Sequence, residues 1–461
     1  MKDIKNKKIV VLGLSRSGYA AAILASKKKA NVFVSEILNN KDMMNKAEDL
    51  KKWGICVELG GHTEEFFKGV DFFVTSPGIK NDTFALNWAR KNKIDVFSEI
   101  EFASWFCPAP IVAITGSNGK TTVTTLLGNV FRAAGKRVVV CGNIGNPFSG
   151  EYARIKKADV VVLEVSSFQL EFVKSFRPRV SIILNITQNH FDHHRDMSEY
   201  VRAKANILKA QRKSDVSIFN FDDSKVFALS KKTDARVYFF SMSKKNIQNY
   251  LKISNSGCFF DKDQVWIVSN GIRRKIFNKN DLKIKGDHNI ENAMAVFLGA
   301  WAMKVSKNTI ISTLKSFKAL EHRCEKLSCC KGVNFVNDSK STTVDATLKA
   351  LSMFRDKSVI LICGGRDKGS NFEIIRTQIK KKVCVLICMG EAKSKIAGAL
   401  KGTTLIKKAD DLAEAVNIAR LMAKKEDTVL LSPMCASFDM FESFKQRGKV
   451  FKKIVKDMCR R

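Results

Sequence analysis

The sequence predicts an α/β protein of three domains, each built on an open and mostly parallel sheet. Apolar runs such as KKIVVLG, IVAITG and KSVILICGG do not alternate with polar residues, which is typical of parallel strands covered on both faces. Each run leads through a glycine-bearing turn toward a helical pattern. The chain has 461 residues, more than one hydrophobic core ordinarily holds. We place the domains at residues 1–107, 108–317 and 318–461.

The first domain is predicted to be Rossmann-like. The stretch KKIVVLGLSRSGYAAAILASKKKANVFVSE follows the order strand, turn, helix, strand, and VDFFVTSPGI supplies a further strand. The two prolines of FCPAPIV interrupt this pattern and mark the end of the domain.

The second domain is predicted to have a mostly parallel sheet. It opens with IVAITGSNGKTTVTTLLGNVFRAAG and continues with the strands RVVVCGNIG, ADVVVLEVSS and RVSIILNIT. From about residue 219 to 285, short β-like runs with asparagine and glycine turns predict a small antiparallel addition. A helix in GDHNIENAMAVFLGAWAM closes the domain.

The third domain is again predicted to be Rossmann-like, with the strands VNFVND, KSVILICGG, VCVLICMG and DTVLLSP between helical stretches. Polar loops follow three of these strands: NDSKSTT, CGGRDKG and LSPMCASFDMF. Because the carboxyl ends of parallel strands share one edge of a sheet, these loops should lie together. We therefore expect Lys340, Thr342, Lys368 and Ser437 to form a cationic, hydroxyl-rich pocket for a small carboxylate.

The formal net charge of +35 does not predict nucleic-acid binding. The lysines are spread along the chain, without aromatic interleaving or a recognition-helix pattern. We interpret the charge as a compositional bias of the source genome, compatible with steering of a polyanionic substrate, and expect no specific nucleic-acid partner. A basic nucleic-acid-binding NTPase is the alternative from another functional class.

Cysteine usage and the start of the chain predict a cytoplasmic protein. The 12 cysteines are scattered, none in a C-x-x-C spacing, which favours reduced structural thiols over disulfides or a zinc site. No apolar run reaches the ~18 residues that a membrane helix needs, so no transmembrane segment is expected. Gly13, Ser15 and Arg16 interrupt the first apolar run, which favours a buried strand over a signal peptide.

The strongest local motif is TGSNGKTT, between an apolar strand and a helical pattern, and it predicts an ATPase domain of the P-loop type. Its glycines let backbone N–H groups face phosphate oxygens, and the helix N-terminus adds partial positive charge. Lys120 is expected to reach the β- and γ-phosphates, and Thr121 to offer its hydroxyl to Mg²⁺. Two residues instead of four separate the glycines, so this is a shortened variant. The predicted ATP-binding residues of the loop are Gly116, Ser117, Asn118, Gly119, Lys120, Thr121 and Thr122.

Two further strand ends carry candidate Mg²⁺ ligands. Glu164 ends the buried strand VVVLE, and Mg²⁺ takes carboxylates together with phosphate oxygens. The stretch NITQNHFDHH ends another strand, and His190 is the histidine we expect at a Mg²⁺ or phosphate site. Adjacent rings point in divergent directions, which argues against zinc, so we expect His193 and His194 to be polar surface residues.

One more residue has a plain default interpretation, and two others have two interpretations each. Lys204, in EYVRAKANIL, reads by default as an ordinary exposed lysine of a helix. Asn289 and Asn292, in GDHNIENAMA, either face an adenine or only cap and pack the helix.

Taken in order, these motifs resemble the Mur ligase family, and within it the members that add D-glutamate. The resemblance runs nearly end to end, from VLGLSRSG to CASFDMFESFKQRGKVF. It implies a first domain that binds UDP-N-acetylmuramoyl-L-alanine, a central ATPase domain and a third domain that binds D-glutamate. It also implies an ATP- and Mg²⁺-dependent ligase of cytoplasmic peptidoglycan synthesis, which works through an acyl phosphate. We expect a monomer.

The resemblance assigns roles that the patterns alone do not. The residues implied to hold the uridine nucleotide are Ser15, Arg16, Glu36, Ser76 and Asn143. Those implied at the adenine and ribose–phosphate contacts are Asn289, Asn292, Arg323 and Asp338. Those implied at the D-glutamate pocket are Lys340, Thr342, Lys368, Ser437 and Phe444. Those implied to serve the metals are Thr121, Glu164, His190 and Lys204, the last as a carbamate. The implied catalytic set is Lys120, Lys204, His190 and Glu164.

The sequence departs from the family pattern at two positions. Asn189 stands where an aspartate is common before the histidine, which would weaken a metal or general-base role there. Thr343 stands where an asparagine is usual, which would alter a contact in the amino-acid pocket. The main alternative is a sibling ligase that adds L-alanine, a diamino acid or a dipeptide. NDSKST lacks the arginine of the diamino-acid-adding relatives, which favours glutamate.

Overall fold

The computed structural model describes residues 2–187, 193–243, 256–318, 320–330 and 332–460. The described chain contains three sheets, one in each of the predicted segments, and the α/β fold class is confirmed. The chain forms two compact units. The first contains the first two sheets and ends at Ser316, and the second consists mainly of Lys283–Asn289 and Phe317–Arg461. The domain limits at 107 and 317 stay predictions.

The first sheet is entirely parallel, with the strand order β3-β2-β1-β4-β5. Its strands are β1 (Lys8–Leu12), β2 (Asn31–Glu36), β3 (Cys56–Leu59), β4 (Phe72–Thr75) and β5 (Asp95–Ser98). Its helices are Arg16–Lys27, Lys41–Lys51, Glu64–Phe67, Phe84–Lys91 and Glu99–Ser104. The central strand β1 is buried over IVVL, as a strand covered on both faces should be.

The second sheet has nine strands in the order β14-β13-β12-β11-β10-β9-β6-β8-β7. Its strands are β6 (Ile111–Thr115), β7 (Val138–Gly142), β8 (Val160–Glu164), β9 (Val180–Ile183), β10 (Val216–Asn220), β11 (Arg236–Ser241), β12 (Ser256–Asp261), β13 (Gln264–Ser269) and β14 (Ile272–Asn278). Its α-helices are Lys120–Ala133, Tyr152–Ile155, Ser167–Leu170, Met197–Ala205, Ser224–Leu229, Asp287–Ala302 and Lys307–Ser316. The helix predicted in GDHNIENAMAVFLGAWAM is confirmed.

The predicted antiparallel addition is only partly right. Strands β10, β11 and β12 pair in parallel and continue the main sheet. The buried strand β10 is connected to β11 through the helix Ser224–Leu229, because parallel neighbours need a crossover connection. Only the pairings of β13, with β12 and with β14, are antiparallel, and tight turns at Lys262-Asp263 and Asn270-Gly271 with positive φ join these three strands. Strand β14 ends the described sheet, and its residues 272–275 (IRRK) are exposed.

The third sheet has the order β15-β16-β20-β17-β18-β19 and is parallel except between β15 and β16. Its strands are β15 (Glu325–Cys330), β16 (Val333–Asn337), β17 (Val359–Gly364), β18 (Val383–Met389), β19 (Leu405–Lys408) and β20 (Thr428–Leu431). Its α-helices are Val344–Leu351, Arg376–Lys382, Lys393–Ala399, Leu412–Met422 and Phe444–Arg460.

Two further observations concern the cysteines and the helices of the described part of the chain. No disulfide joins the cysteine side chains that the structure describes. None of the described helices combines the length and the apolar character that crossing a bilayer would require.

Candidate active site

The TGSNGKTT loop lies where the strand order of the second sheet reverses. Strand β6 is the first of this sheet in the chain and pairs with β9 on one side and β8 on the other, so a crevice opens beyond its carboxyl end. Gly119 precedes the helix Lys120–Ala133 with φ of +84°, and a Cβ there would lie 2.5 Å from the Asn292 side-chain oxygen. Glycine at this position is therefore required by both conformation and space.

Neighbouring residues hold the loop in place, and sequence reasoning missed two of them. Asn185, just after β9, accepts from the Asn118 N–H at 2.8 Å and donates to the Asn118 carbonyl at 3.2 Å. Tyr200 places its hydroxyl 3.0 Å from that of Ser117. The signal for Asn185 was available, since it is a polar residue at the carboxyl end of the buried strand SIILN.

Two lysines converge on this loop. Lys120 donates to the carbonyls of Gly116 at 2.7 Å and Ser117 at 2.9 Å. Lys204, from the helix Met197–Ala205, donates to the same Gly116 carbonyl at 3.1 Å and lies 3.4 Å from the Thr115 hydroxyl. The default expectation of an exposed Lys204 is wrong, because its side chain turns inward and the residue is only 1% exposed.

The environment of Lys204 favours a neutral amine. Burial, followed by the nearby Lys120 cation, lowers the pKa of Lys204 well below its ordinary value. No carboxylate of the described chain pairs with it. A neutral amine is a nucleophile, so this lysine is set apart chemically from the other lysines of the protein.

Glu164 presents a buried carboxylate oxygen beside the loop. It ends β8, where its Cα pairs with Ile114 of β6, and it is 2% exposed. One oxygen accepts from the Asn143 amide at 2.9 Å, while the other is buried without a hydrogen-bond partner in the described chain. A buried carboxylate oxygen without a hydrogen-bond partner is suited to coordinate a cation. Thr121, the second residue of the loop helix, is likewise buried.

The two asparagines after the hairpins fall in different units. Asn292 is buried in the first unit, with its side-chain oxygen against Gly119. Asn289 belongs to the second unit, and its side-chain amide donates to the Lys285 carbonyl at 2.8 Å. This contact agrees with the interpretation in which Asn289 caps and packs the helix. Adenine contacts for both residues stay predictions.

The histidine predictions have mixed outcomes. His190 and Asn189 lie outside the described residues. The expectation of polar surface positions for His193 and His194 is wrong, since their side chains are 7% and 0% exposed. Both rings face the carboxylate of Glu171, so the expectation that the adjacent rings point in divergent directions is wrong as well.

The residues predicted around the first turn do meet in the first sheet. Strand β1 pairs with β2 and β4, so the turn after it also lies at a reversal of strand order. Glu36 accepts from the N–H groups of Leu14 at 2.6 Å and Leu38 at 2.9 Å, and Ser76 donates to the Gly13 carbonyl at 3.2 Å. These two side chains shape the turn.

The exposed residues of that turn begin the first helix. Ser15 is its N-cap, and Arg16 donates to the Gly145 carbonyl at 2.5 Å. Gly145 lies in the loop that also contains Asn143, so the exposed Ser15 and Arg16 lie beside a second loop that carries a predicted substrate residue. Their contacts with a nucleotide are not tested and stay predictions.

The three polar loops of the third sheet do share one edge, as predicted. Strands β16, β20 and β17 are parallel neighbours, so the loops after them emerge side by side. Lys340 lies 5.0 Å from the centre of the Phe444 ring, Ser437 is buried, and Lys368 is exposed. Thr342 is half-buried in the first of these loops.

Arg447 ties these loops together and was missed in the sequence. It is 1% exposed and donates to the Ser339 hydroxyl at 3.1 Å and the Ser339 carbonyl at 2.9 Å. It also donates to the carbonyls of Cys435 at 3.2 Å and Ala436 at 3.4 Å. Burial lowers the pKa of Arg447 to about 10, which still leaves the guanidinium charged at neutral pH.

Two other residues implied by the resemblance lie near this edge. Asp338 accepts from the Cys324 N–H at 3.1 Å and from the Ser432 hydroxyl at 2.8 Å, and burial raises its pKa. The adjacent Arg323 cation opposes that rise. Thr343, the second departure from the family pattern, caps the helix Val344–Leu351 by accepting from the Ala346 N–H at 3.3 Å.

Known proteins resemble the chain in all three segments. The Mur ligase MurD-like N-terminal domain matches residues 7–98, the Mur ligase middle domain 114–300, and the Mur ligase glutamate ligase domain 322–435. A UDP-N-acetylmuramoylalanine–D-glutamate ligase of Koribacter versatilis is 39% identical over 458 residues, covering 99% of this chain and 99% of that protein. A protein of the same name from Pelotomaculum thermopropionicum is 40% identical over 457 residues, covering 99% and 98%.

The fold has counterparts among solved structures. A pseudomurein peptide ligase type C from Methanothermus fervidus superposes with a TM-score of 0.62 at 20% identity, over 98% of this chain and 100% of that one. That structural likeness supports the fold alone, whereas the sequence matches identify the family. With three family domains in order and relatives of about 40% identity along its whole length, the chain belongs to the Mur ligase family and is of the MurD type.

Proposed function

We propose that this chain is an ATP-dependent ligase that joins D-glutamate to UDP-N-acetylmuramoyl-L-alanine in peptidoglycan synthesis. The observation that carries the proposal is its similarity, over 99% of its length, to ligases named for that reaction. We further propose that it acts as a monomer in the cytoplasm, as the sequence suggested.

The first chemical step is transfer of a phosphoryl group to the acceptor. A carboxylate oxygen of the L-alanine residue attacks the γ-phosphorus of ATP, and the bond from that phosphorus to the ADP oxygen breaks. The backbone N–H groups of the Gly116–Thr122 loop and the N-terminus of the following helix surround the phosphates. Lys120, which already lies across the loop, offsets the charge that builds up during transfer.

Magnesium fits the residues beside this loop. Glu164, with its unpartnered buried oxygen, and Thr121 would hold the ion, with His190 and a carbamate on Lys204 as further proposed ligands. When bound, Mg²⁺ supplies positive charge that compensates the phosphate oxygens. Asn143 fixes the Glu164 carboxylate through its amide, so the free oxygen has a defined direction.

Lys204 is proposed to carry a carbamate. Its neutral amine would attack the carbon of CO₂ and release a proton, which turns a buried amine into a carboxylate. Three observations support this: the inward side chain, the lowered pKa and the nearby Lys120 cation that would pair with the new anion.

The second step is attack by the amine of D-glutamate on the acyl carbon. A tetrahedral intermediate forms, the carbon–oxygen bond to phosphate breaks, and inorganic phosphate leaves as the amide remains. The loops held by Arg447 would orient the amino acid, with Lys340 and Lys368 facing its carboxylates and Ser437 and Thr342 supplying hydroxyls. Phe444 would support Lys340 through its ring.

The amino-acid specificity is tested by phosphate release in the presence of ATP and Mg²⁺. With UDP-N-acetylmuramoyl-L-alanine as acceptor, D-glutamate should stimulate release, while L-glutamate and L-alanine should not. The substrates of the sibling ligases are tested in parallel. L-Alanine is supplied with the acceptor that carries no amino acid, and a diamino acid or a dipeptide is supplied with the acceptor that carries the longer peptide. Stimulation by a sibling pair but not by D-glutamate would contradict the proposal.

Arg447→Lys should raise the KM for D-glutamate by about 10- to 100-fold, with a smaller change in the KM for ATP. The charge is retained, but a lysine cannot bridge the Ser339, Cys435 and Ala436 groups as the guanidinium does. Steady-state kinetics with each substrate varied in turn measures the effect. The matched control is Lys449→Arg, an exposed position of the same helix. Equal changes in all three KM values would contradict a positioning role specific to the amino acid.

A further inference from the structure

A cluster of two histidines and one glutamate is formed by residues that are not among those assigned to Mg²⁺. Glu171 follows the short helix Ser167–Leu170, and His193 and His194 precede the helix Met197–Ala205. The Nε2 atom of His193 is 2.9 Å from Oε1 of Glu171, and Nδ1 of His194 is 3.5 Å from the same oxygen. The three atoms lie within 4.8 Å of one another.

The hydrogen bonds of His194 leave one ring nitrogen facing this carboxylate. Nε2 of His194 lies 2.9 Å from the Ser167 hydroxyl, while Nδ1 is buried without a hydrogen-bond partner. If Nε2 carries the proton and donates to Ser167, then Nδ1 presents a lone pair toward a carboxylate oxygen. Two electron-rich atoms then face each other in a buried place, an arrangement that a cation between them would stabilise.

We propose that Glu171, His193 and His194 form a binding site for a divalent transition-metal ion, with zinc as the best fit. Zinc takes imidazole nitrogens and carboxylate oxygens at about 2.1 Å in tetrahedral sites, which places its ligands about 3.4 Å apart. The two separations from the Glu171 oxygen, 2.9 Å and 3.5 Å, lie close to that value. The fourth position is left for water, as in sites with three protein ligands.

The surroundings match those of known metal ligands. A histidine that binds a metal ordinarily donates its other ring N–H to a fixed acceptor, and Ser167 occupies that position for His194. Phe168 covers the cluster, with its ring centre 4.5 Å from that of His193 and 5.6 Å from that of His194.

A second cluster of the same residue types, in the third segment, already contains a positive charge of the chain. Glu321, His322 and Glu325 also lie close together, but Lys452 pairs with both glutamates at 3.0 Å and 2.6 Å. The cation in that cluster is thus a lysine of the chain itself. Lys204 lies near His194, but no ammonium group pairs with Glu171 in the described chain.

Binding would connect two segments that carry active-site residues. Glu171 lies seven positions after Glu164, and the histidines lead into the helix that carries Lys204. A metal bound to both segments would stabilise the folded chain by mass action, because the ligands are brought together only on folding.

The test uses the full, tag-free chain under reducing conditions and Co²⁺ as a spectroscopic probe, with excess Mg²⁺ present. The parent should bind one equivalent with visible absorption of nitrogen and oxygen ligands, without the thiolate charge-transfer band that cysteine binding would give. His194→Gln and Glu171→Gln should each lose this equivalent. Ser167→Ala, which keeps all three ligands, should bind about 10- to 100-fold more weakly. The control His62→Gln should bind as the parent does.

Thermal unfolding gives an independent measurement. Zn²⁺ should raise the Tm of the parent and of His62→Gln, and should not raise that of His194→Gln or Glu171→Gln. The proposal is overturned if the parent binds no Co²⁺, if the bound Co²⁺ carries a thiolate band, or if both variants keep the equivalent. Because Ser167→Ala leaves the ligands in place, an unchanged affinity in that variant would also contradict the proposed role of the serine.

Discussion

Lys120→Ala is expected to lower ATP-dependent phosphate release by about 1,000-fold while the protein stays folded. The ammonium group lies over the phosphate loop, 2.7 Å and 2.9 Å from two of its carbonyls, and no second cation of the loop replaces it. Alanine favours helix at this first helical position, so the backbone should be retained. Release of phosphate, measured with both other substrates saturating, gives the effect.

The control for this experiment is Lys136→Ala, which removes the same charge from an exposed turn. Its rate should match that of the parent within about twofold, since exposed charges contribute little. Circular dichroism and thermal unfolding confirm that both variants are folded. If Lys120→Ala retained a rate near that of the parent, the loop would not be the site of phosphoryl transfer.

Lys204→Ala is expected to lower turnover by about 100- to 1,000-fold, with partial recovery when acetate or formate is added. If the lysine acts as a carbamate, the missing group is a carboxylate, and a small acid that enters the space left by the side chain replaces it. If the lysine acts as a cation, added carboxylates should not help. The dose dependence of recovery therefore separates the two roles.

In the parent enzyme, the effects of pH and of CO₂ removal also test whether Lys204 acts as a carbamate. Since its pKa is lowered, the Lys204 amine is neutral above that lowered value and takes up a proton below it. The carbamate should therefore form more readily as pH rises, and removal of CO₂ should inhibit most strongly on the acid side. Carbon NMR with isotopically labelled bicarbonate should detect the carbamate in the parent and not in Lys204→Ala. Lys209→Ala, an exposed neighbour, serves as the control. A labelled signal that survives in Lys204→Ala would place the carbamate elsewhere.

The strand-end residues were predictable because topology determines where they lie. Parallel strands end at one edge, so the order of apolar runs along the chain places Glu164 beside the phosphate loop. It also places the loop that carries Lys340 beside the loop that carries Ser437. The parallel pairing of β10 to β12 was harder to predict. Short runs with polar turns suit either direction, and the crossover helix Ser224–Leu229 is too brief to give a clear period.

The burial of two basic side chains was missed although helical spacing indicates it for both. Lys204 lies on the face that also carries Tyr200, Ala203 and Ile207, all of them buried. A charge within an apolar stripe of period 3.6 should have been read as an inward side chain with a function. Arg447 occupies the same kind of position in the helix Phe444–Arg460, between apolar residues three and four positions away.

The cluster of Glu171, His193 and His194 could not be predicted from local sequence patterns. Its carboxylate is more than twenty positions before the histidines, and the hydrophobic pattern of neither segment requires them to meet. Only the packing of the helix Ser167–Leu170 against the helix Met197–Ala205 brings the rings to the glutamate. Such a meeting is a tertiary contact, which local periodicity does not encode.

The exposed basic run on β14 has a consequence for how copies of this protein behave in a crowded solution. An outermost strand offers unpaired N–H and C=O groups that would accept a strand from a neighbouring molecule. Arg273, Arg274 and Lys275 place three like charges where that neighbour would have to dock, so two copies of the chain repel each other at this edge. Part of the chain's large positive charge thus protects against sheet-to-sheet aggregation.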